Sequence, residues 1–199
     1  VDGLIGFEWL SRFPTRIDYA ASTLTFYPPK GLVYTGSARP TKLGFRGRLA
    51  QVDGTIDGLE GRFSLDTGSN GSLTLYPRFV EQNDLITRYH AKTEVMSAVG
   101  LGGPVFAVLA RPMTFGMAGY SVNKPVTFLT KARTGASADP QTAGNIGSGI
   151  LRRFNITFDY RAAQAFFEPN TGLNEPDLAD RSGLRANLAP EGFKVVFVV

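Results

Sequence analysis

The chain has 199 residues, 43% of them hydrophobic and 19% charged, with a formal net charge of +4. This length and apolar content suit one globular domain with attached pieces. No apolar run approaches the roughly 20 residues that span a bilayer, and no basic start leads into an apolar signal segment, so neither a membrane span nor a targeting peptide is predicted.

The residue types that are scarce narrow the possible chemistry. Cysteine is absent and His90 is the single histidine. Disulfides, thiolate metal sites and cysteine nucleophiles are therefore excluded, and one histidine cannot build a multi-histidine metal site. A Ser-His-Asp triad is disfavoured, and we read His90 as a solvated loop or helix residue. No metal and no cofactor is predicted, which leaves carboxylates as the leading candidates for catalysis.

Basic residues cluster locally without the pattern of a nucleic-acid site. They alternate with Gly, Leu and Phe as in a strand, which is typical of a solvated sheet face, whereas nucleic-acid binding favours Arg and Lys grouped with aromatic residues. We expect no nucleic-acid partner. The basic residues are Lys42, Arg46, Arg48 and Arg62.

The first predicted elements belong to a segment that occurs twice. Residues 3–28 align without a gap over residues 144–169, with eleven identities in twenty-six positions. Each copy reads as an apolar strand end closed by glycine, a short helical turn and alternating strands. Asp18 and Asp159 occupy the same place in the two copies, and we predict that both are turn residues.

Between the copies lies one full set of predicted strands. A hairpin is expected over residues 43–52 and 59–65, connected over Asp53-Gly54 and the Asp57-Gly58 turn, and a strand over 73–76. Residues 77–83 favour a helix that begins at proline. Alternating strands over 93–111 surround a glycine-rich tip, and further strands lie within 119–130. The order favours a mainly antiparallel all-β fold with one or two short helices.

The strongest chemical motif follows the hairpin strand that ends at residue 65. Asp66 enters a turn of small and hydroxyl residues, namely Thr67, Gly68 and Ser69. Backbone N–H groups and hydroxyls in such a turn can hydrogen-bond a carboxylate and favour its ionised form, which a water-activating base requires. Asp, Gly and Ser are also ordinary turn residues, so a surface hairpin turn is the competing interpretation.

The order of motifs resembles one lobe of a retropepsin-like aspartic protease. The resemblance covers roughly residues 40–170, and its motifs are Asp66-Thr67-Gly68-Ser69, the glycine-rich hairpin and Asn145-Ile146-Gly147 followed by Leu151. It implies a closed barrel of six or more strands. Ile5 and Gly6 match Ile146 and Gly147, so the first copy resembles the closing segment of a preceding lobe.

This resemblance implies a domain organisation. Residues 1–28 would end a truncated first lobe, 29–40 would be a linker, and 41–170 would form a complete lobe. Residues 171–199 would form an extension that either begins a PDZ domain or packs as β-structure on the lobe, and we weigh these equally. Bacterial relatives of this type suggest an extracytoplasmic, periplasmic or secreted location.

The resemblance also implies residue roles in the hydrolysis of a polypeptide substrate. Asp66 would be catalytic, Thr67 would hydrogen-bond across the lobe interface, Gly68 would let its N–H approach the carboxylate, and Ser69 would hydrogen-bond Asp66. A flap would close over the substrate and exclude water. The predicted flap residues are Gly100, Leu101, Gly102 and Gly103.

One departure from the family pattern leaves four interpretations open. The mechanism requires two aspartates and this chain has one such motif, so the second comes from an N-terminal lobe, which we favour, or from a second chain in a homodimer. Alternatively, the chain is a non-catalytic peptide-binding or assembly module. A structural β-domain in which Asp66 is a turn residue is the least favoured.

Overall fold

A computed structural model describes residues 5–100, 103–179, 182 and 184–198. The flap residues Leu101 and Gly102 predicted above, together with residues 1–4, 180, 181, 183 and 199, lie outside the described residues. The helices are α1 (Phe7–Leu10), α2 (Pro77–Gln82), α3 (Leu85–Arg88) and α4 (Ser148–Leu151), with a 3-10 turn at Ala136–Ala138. No helix in this part of the chain is long and apolar enough to cross a bilayer.

Strands dominate the structure, and the predicted all-β class is confirmed. The first eight are β1 (Thr15–Asp18), β2 (Thr23–Phe26), β3 (Pro40–Lys42), β4 (Gly44–Arg46), β5 (Leu49–Ile56), β6 (Leu59–Leu65), β7 (Leu73–Leu75) and β8 (Glu94–Gly100). The others are β9 (Gly103–Ala110), β10 (Thr114–Met117), β11 (Tyr120–Asn123), β12 (Thr127–Thr130), β13 (Gly144–Ile146), β14 (Phe154–Asp159), β15 (Gln164–Pro169), β16 (Leu184–Ala189) and β17 (Gly192–Val198).

The largest sheet is an open ladder. Its strand order is β11-β10-β5-β6-β13-β7-β12-β9-β8, with β4 paired to β5 beside this path. The edge strands β11 and β8 do not pair with one another among the described residues. A barrel closes only when its two edge strands meet with a matching stagger. The predicted closed barrel is therefore wrong, although most neighbouring pairs are antiparallel as expected.

The repeated segment builds a second sheet with a local twofold arrangement. This sheet has the order β2-β1-β14-β15-β3. Strands β1 and β14 pair antiparallel with Arg16 opposite Thr157, and these two residues are also equivalents in the sequence repeat. Equivalent strands of the two copies thus cross at equivalent residues, which is the relation that a twofold axis produces.

The turn residues of the repeat behave as predicted. The Asp18 carboxylate accepts a hydrogen bond from the Ala21 N–H at 2.9 Å, and the Asp159 carboxylate accepts one from the Ala162 N–H at 3.2 Å. Both bonds span three residues and close the turn between the two strands of a copy. Asp18 and Asp159 are structural residues.

The core lies under the large sheet and takes in the second copy of the repeat. Its fully buried side chains include Phe63, Phe115, Leu129, Ile146, Ile150, Leu151, Phe154 and Phe167. The edge-to-face contact of Phe63 with Phe115, at 5.1 Å between ring centroids, joins β6 to β10. The strand that delivers Asp66 is therefore anchored on the core.

A buried arginine ties the segment after β15 to the lobe. Arg153 is 3% exposed, and its guanidinium donates to the carbonyl oxygens of Gly172, Leu173 and Glu175, at 3.1, 3.1 and 2.6 Å. It also lies 4.0 Å from the buried carboxylate of Asp177, which accepts a 2.7 Å bond from the Val126 N–H. We call this set the Arg153 clamp. The hairpin β16–β17 follows it and forms a separate two-stranded sheet.

Candidate active site

The main chain around Asp66 is fixed by two buried strands. Strand β6 ends on the buried Leu65 and pairs in parallel with β13, where Leu65 lies opposite Ile146. The Asp66 N–H then donates to the Ile146 carbonyl oxygen at 2.9 Å. Asp66 itself is exposed. A rigid strand end therefore presents a solvent-accessible carboxylate, which is the placement that a catalytic acid or base needs.

Both oxygens of the Asp66 carboxylate accept a hydrogen bond. The Gly68 N–H donates to Oδ1 at 3.0 Å, and the Asn145 side-chain amide donates from Nδ2 to Oδ2 at 3.3 Å. One donor belongs to the Asp66 turn and the other to β13. Hydrogen bonds of this kind stabilise the charged form of a carboxylate and fix its orientation.

Two glycines let the Asp66 turn approach its neighbours. A Cβ on Gly68 would lie 3.3 Å from Asp66 Oδ1, and a Cβ on Gly147 would lie 2.2 Å from the Gly71 carbonyl oxygen. The Gly147 and Ser148 N–H groups donate to the Ser72 and Ser69 carbonyl oxygens, at 3.0 and 2.7 Å. The Ile146-Gly147 motif therefore clamps the turn, and a side chain at Gly147 would push the two loops apart.

The predicted hydroxyl bond within the turn is absent among the described residues. In the described part of the chain the Ser69 hydroxyl makes no hydrogen bond to Asp66; its Oγ lies 2.9 Å from the Cβ position of Gly147. The expected Ser69–Asp66 bond is not formed in this structure, because the Ser69 side chain lies against the Gly147 loop, and the role of Ser69 in the site stays a prediction. Thr67 is exposed, and its expected bond to another lobe stays a prediction.

The structure separates the two copies of the apolar-glycine motif. Ile146 is fully buried under the Asp66 turn, whereas Ile5 is 56% exposed. Gly6 precedes α1 as Gly147 precedes α4. In both copies the glycine therefore precedes a short helix, and no aspartate turn covers the motif of the first copy among the described residues.

The two strands on either side of the predicted flap tip pair with one another. Strands β8 and β9 pair up to Gly100 opposite Gly103, and Gly103 has a φ of +106°, a conformation that favours glycine. Strand β8 is an edge of the large sheet, and β9 and β12 lie between it and β7, which follows the Asp66 turn. Closure of this hairpin over a substrate stays a prediction.

Three residues near the turn were not predicted as site residues. Asn145 was named only as part of the Asn145-Ile146-Gly147 motif. The sequence repeat could have singled it out, because the polar Asn145 aligns with the apolar Leu4. Tyr76 is buried, and burial, together with the negative charges of Asp66 and Asp139, raises its pKa to about 12, so its hydroxyl stays protonated. The half-buried Phe128 ring lies 3.5 Å from the Cβ position of Gly71 and forms an apolar wall beside the turn.

No group of three or more His, Cys, Asp or Glu side chains that could hold a metal ion is found among the described residues. The site contains the exposed Asp66 carboxylate, which accepts hydrogen bonds from Gly68 and Asn145. Such a group can accept a proton from water or bind a cationic or amide donor of a ligand.

Comparison with solved structures finds a likeness of fold, whereas comparison of the sequence finds none. The sequence matches no model of a known protein family and no curated protein. The fold is similar to the crystal structure of a retropepsin-like aspartic protease from Rickettsia conorii, at 12% sequence identity and a TM-score of 0.46. The likeness covers 68% of this chain and 97% of that one.

Proposed function

We propose that this chain forms one half of the active site of an aspartic endopeptidase, with Asp66 as one of two catalytic carboxylates. The observation that carries the proposal is the Asp66 carboxylate, exposed at the end of a buried strand and held by donors from Gly68 and Asn145. A group that is both accessible and oriented suits the activation of water.

The second carboxylate would come from a first lobe. The pairing of β1 with β14 at equivalent residues supports a twofold relation between that lobe and residues 41–170. The same relation would place a second aspartate turn opposite Asp66. Thr67 would then reach the main chain of the other lobe.

The exposed apolar side chains of the first copy also support a covering lobe. Ile5, Trp9, Leu24 and Phe26 are 56%, 46%, 46% and 37% exposed. Their equivalents in the second copy are no more than 1% exposed, and these are Ile146, Ile150, Ala165 and Phe167. Trp9 and Phe26 contact each other, and exposed apolar residues that group together mark a surface that another unit buries. In a homodimer, a second chain would cover this face instead.

In the proposed reaction, two close carboxylates share one proton because both cannot stay ionised side by side. The ionised member takes a proton from water as the water oxygen attacks the peptide carbonyl carbon, and the protonated member donates to the carbonyl oxygen. The flap hairpin would exclude water, and the edge strand β8 would hold an extended polypeptide by main-chain pairing. A PDZ-like start in residues 180–199 and an extracytoplasmic location remain proposals.

Peptide cleavage by two forms of the protein tests this function. We expect a form extended upstream of Val1 to include the first lobe to cleave unstructured peptides at acidic pH, and the 199-residue chain to be inactive as a monomer. Asp66→Asn in the extended form should lower the rate at least about a thousandfold. Asp53→Asn, at an exposed acid of β5, is the matched control.

The other outcomes separate the competing interpretations. Full activity of Asp66→Asn would contradict the proposal. Activity of the 199-residue chain that appears only as the chain dimerises would assign the second carboxylate to another copy. Peptide binding without cleavage by either form would identify a non-catalytic binding module.

A further inference from the structure

Asn145 stands out because of where it lies in the sheet. Strand β13 is central, with Ser64 of β6 and Thr74 of β7 opposite Asn145 on either side. Side chains alternate along a strand, so Asn145 faces away from the core that buries Ile146. The side chain is half-buried. Its amide therefore reaches Asp66 Oδ2 from a fixed backbone rather than from a mobile loop.

The sequence repeat gives this position a direct comparison. In the first copy the equivalent residue is Leu4, whose side chain has no hydrogen-bond donor. If residues 3–28 close the first lobe, the aspartate of that lobe has leucine where Asp66 has the Asn145 amide. The two halves of the site then differ by one charge-assisted hydrogen bond.

We propose that Asn145 is a positioning residue that makes the two carboxylates unequal, so that Asp66 is the ionised base and the first-lobe aspartate carries the shared proton. This inference rests on the proposed function. When a hydrogen-bond donor reaches just one of two coupled carboxylates, it favours the microstate in which that carboxylate is charged.

The proton steps follow from this assignment. Asp66 takes a proton from water as the new C–O bond forms, and the first-lobe acid gives its proton to the carbonyl oxygen, which produces a tetrahedral diol. The C–N bond then breaks as the nitrogen takes the proton held by Asp66. The first-lobe carboxylate recovers a proton from the diol hydroxyl as the new carboxyl group forms. Both acids return to their starting states.

The other titratable groups around Asp66 do not supply this difference. Tyr76 lies at the end of β7 and stays protonated, because burial and the charges of Asp66 and Asp139 raise its pKa to about 12. Asp139, in the loop before β13, is occupied by the guanidinium of Arg46 at 2.9 Å and by the Thr142 hydroxyl. The side-chain donor to Asp66 among the described residues is Asn145.

A titration of the 199-residue chain tests the effect without any need for activity. We would follow the carboxyl-carbon NMR signal of Asp66 against pH in the natural chain and in Asn145→Leu, which introduces the residue of the first copy. We expect the titration midpoint to move to higher pH in Asn145→Leu, because this variant lacks the amide donor to Asp66 Oδ2. Thr74→Val, on the same face of the sheet, is the matched control and should leave the midpoint unchanged. An unmoved midpoint in Asn145→Leu would overturn the inference.

Kinetics of the two-lobed form test the assignment of base and acid. We expect Asn145→Leu to lower kcat about three- to tenfold with little change in KM, and to move the acidic limb of the kcat/KM profile to higher pH. Adding Leu4→Asn to that variant should restore the rate by giving the donor to the other carboxylate. An acidic limb that stays in place would overturn the assignment.

The two experiments also separate this inference from the proposed function. A two-lobed form that cleaves no peptide, whichever residue stands at position 145, contradicts the proposed function and with it the assignment of Asp66 as a base. A shifted midpoint in the 199-residue chain would still establish that Asn145 stabilises the charged carboxylate.

Discussion

Residues 5–28 and residues 146–169 share a sequence pattern and a strand hairpin, yet their apolar side chains meet opposite environments. Phe167 is buried in the core, whereas its equivalent Phe26 is 37% exposed. The difference arises because the strands over residues 44–130 cover the second copy and no described element covers the first. An apolar pattern encodes the face that should be buried, while the burial itself comes from other parts of a fold.

The largest expected difference between the copies concerns their phenylalanines. In the 199-residue chain, Phe167→Ala should lower the free energy of unfolding by about 3–5 kcal/mol because it leaves a cavity in the core. Phe26→Ala should cost less than about 1 kcal/mol, since its ring contacts Trp9 at the surface. Denaturant unfolding measures both. In the two-lobed form the cost of Phe26→Ala should rise toward that of Phe167→Ala. Equal costs in the 199-residue chain would contradict the comparison.

A smaller difference is expected for the repeated arginines. Arg153→Met should destabilise the chain by about 3 kcal/mol, because it removes the positive charge beside the buried Asp177 carboxylate and the donor to three partly buried carbonyl groups. Arg12→Met, at the exposed equivalent, is the matched control and should change stability by less than about 0.5 kcal/mol. Thermal unfolding together with proteolysis of residues 170–178 would measure the effect. Intact protection of that segment in Arg153→Met would show that the clamp is dispensable.

The smallest effect is expected at the junction of the two copies, where Arg16 of β1 pairs with Glu168 of β15. Burial acts to raise the pKa of Glu168, but the hydrogen bond and charge of Arg16, with a bond from Tyr34, lower it below the ordinary value of 4.5. The stabilisation is therefore present above about pH 4.5 and is lost as pH falls through the folded pKa.

Glu168→Gln should remove this acid dependence, which we expect to amount to about 1 kcal/mol or less for a partly exposed pair. Unfolding free energies measured between pH 3 and pH 6 would show it. Glu60→Gln makes the same charge change at an exposed position of β6 and should keep the natural pH profile. A Glu168→Gln profile parallel to that of the natural chain would mean that the ion pair does not link the copies.

Local patterns made much of this fold predictable. The strand alternation, the proline-initiated helix α2 and the turns at Asp18 and Asp159 depend on neighbours in sequence, and the structure has all of them. The turn at Asp66 was found in the same way. These features need no knowledge of which strands lie side by side.

Features that depend on which strands pair, and in which register, could not be predicted from the sequence. The sequence does not say that Asn145 lies beside Asp66, because that contact needs the parallel pairing of β6 with β13. Arg12 and Arg153 are identical residues in equivalent places, and only the surrounding chain makes one of them buried. The conformation of the Ser69 side chain and the unpaired edges of the large sheet also could not be predicted. Both depend on tertiary contacts, which local sequence does not specify.

The Arg153 clamp also sets a mechanical limit on the end of the chain. Five residues separate Leu178, next to the clamped Asp177, from the start of β16 at Leu184. The chain advances six residue steps between them, so the base of the hairpin lies within about 20 Å of a fixed point. The hairpin carries exposed side chains such as Phe193, which is 81% exposed. A partner for these side chains within the same molecule must therefore lie within this radius extended by the length of the hairpin.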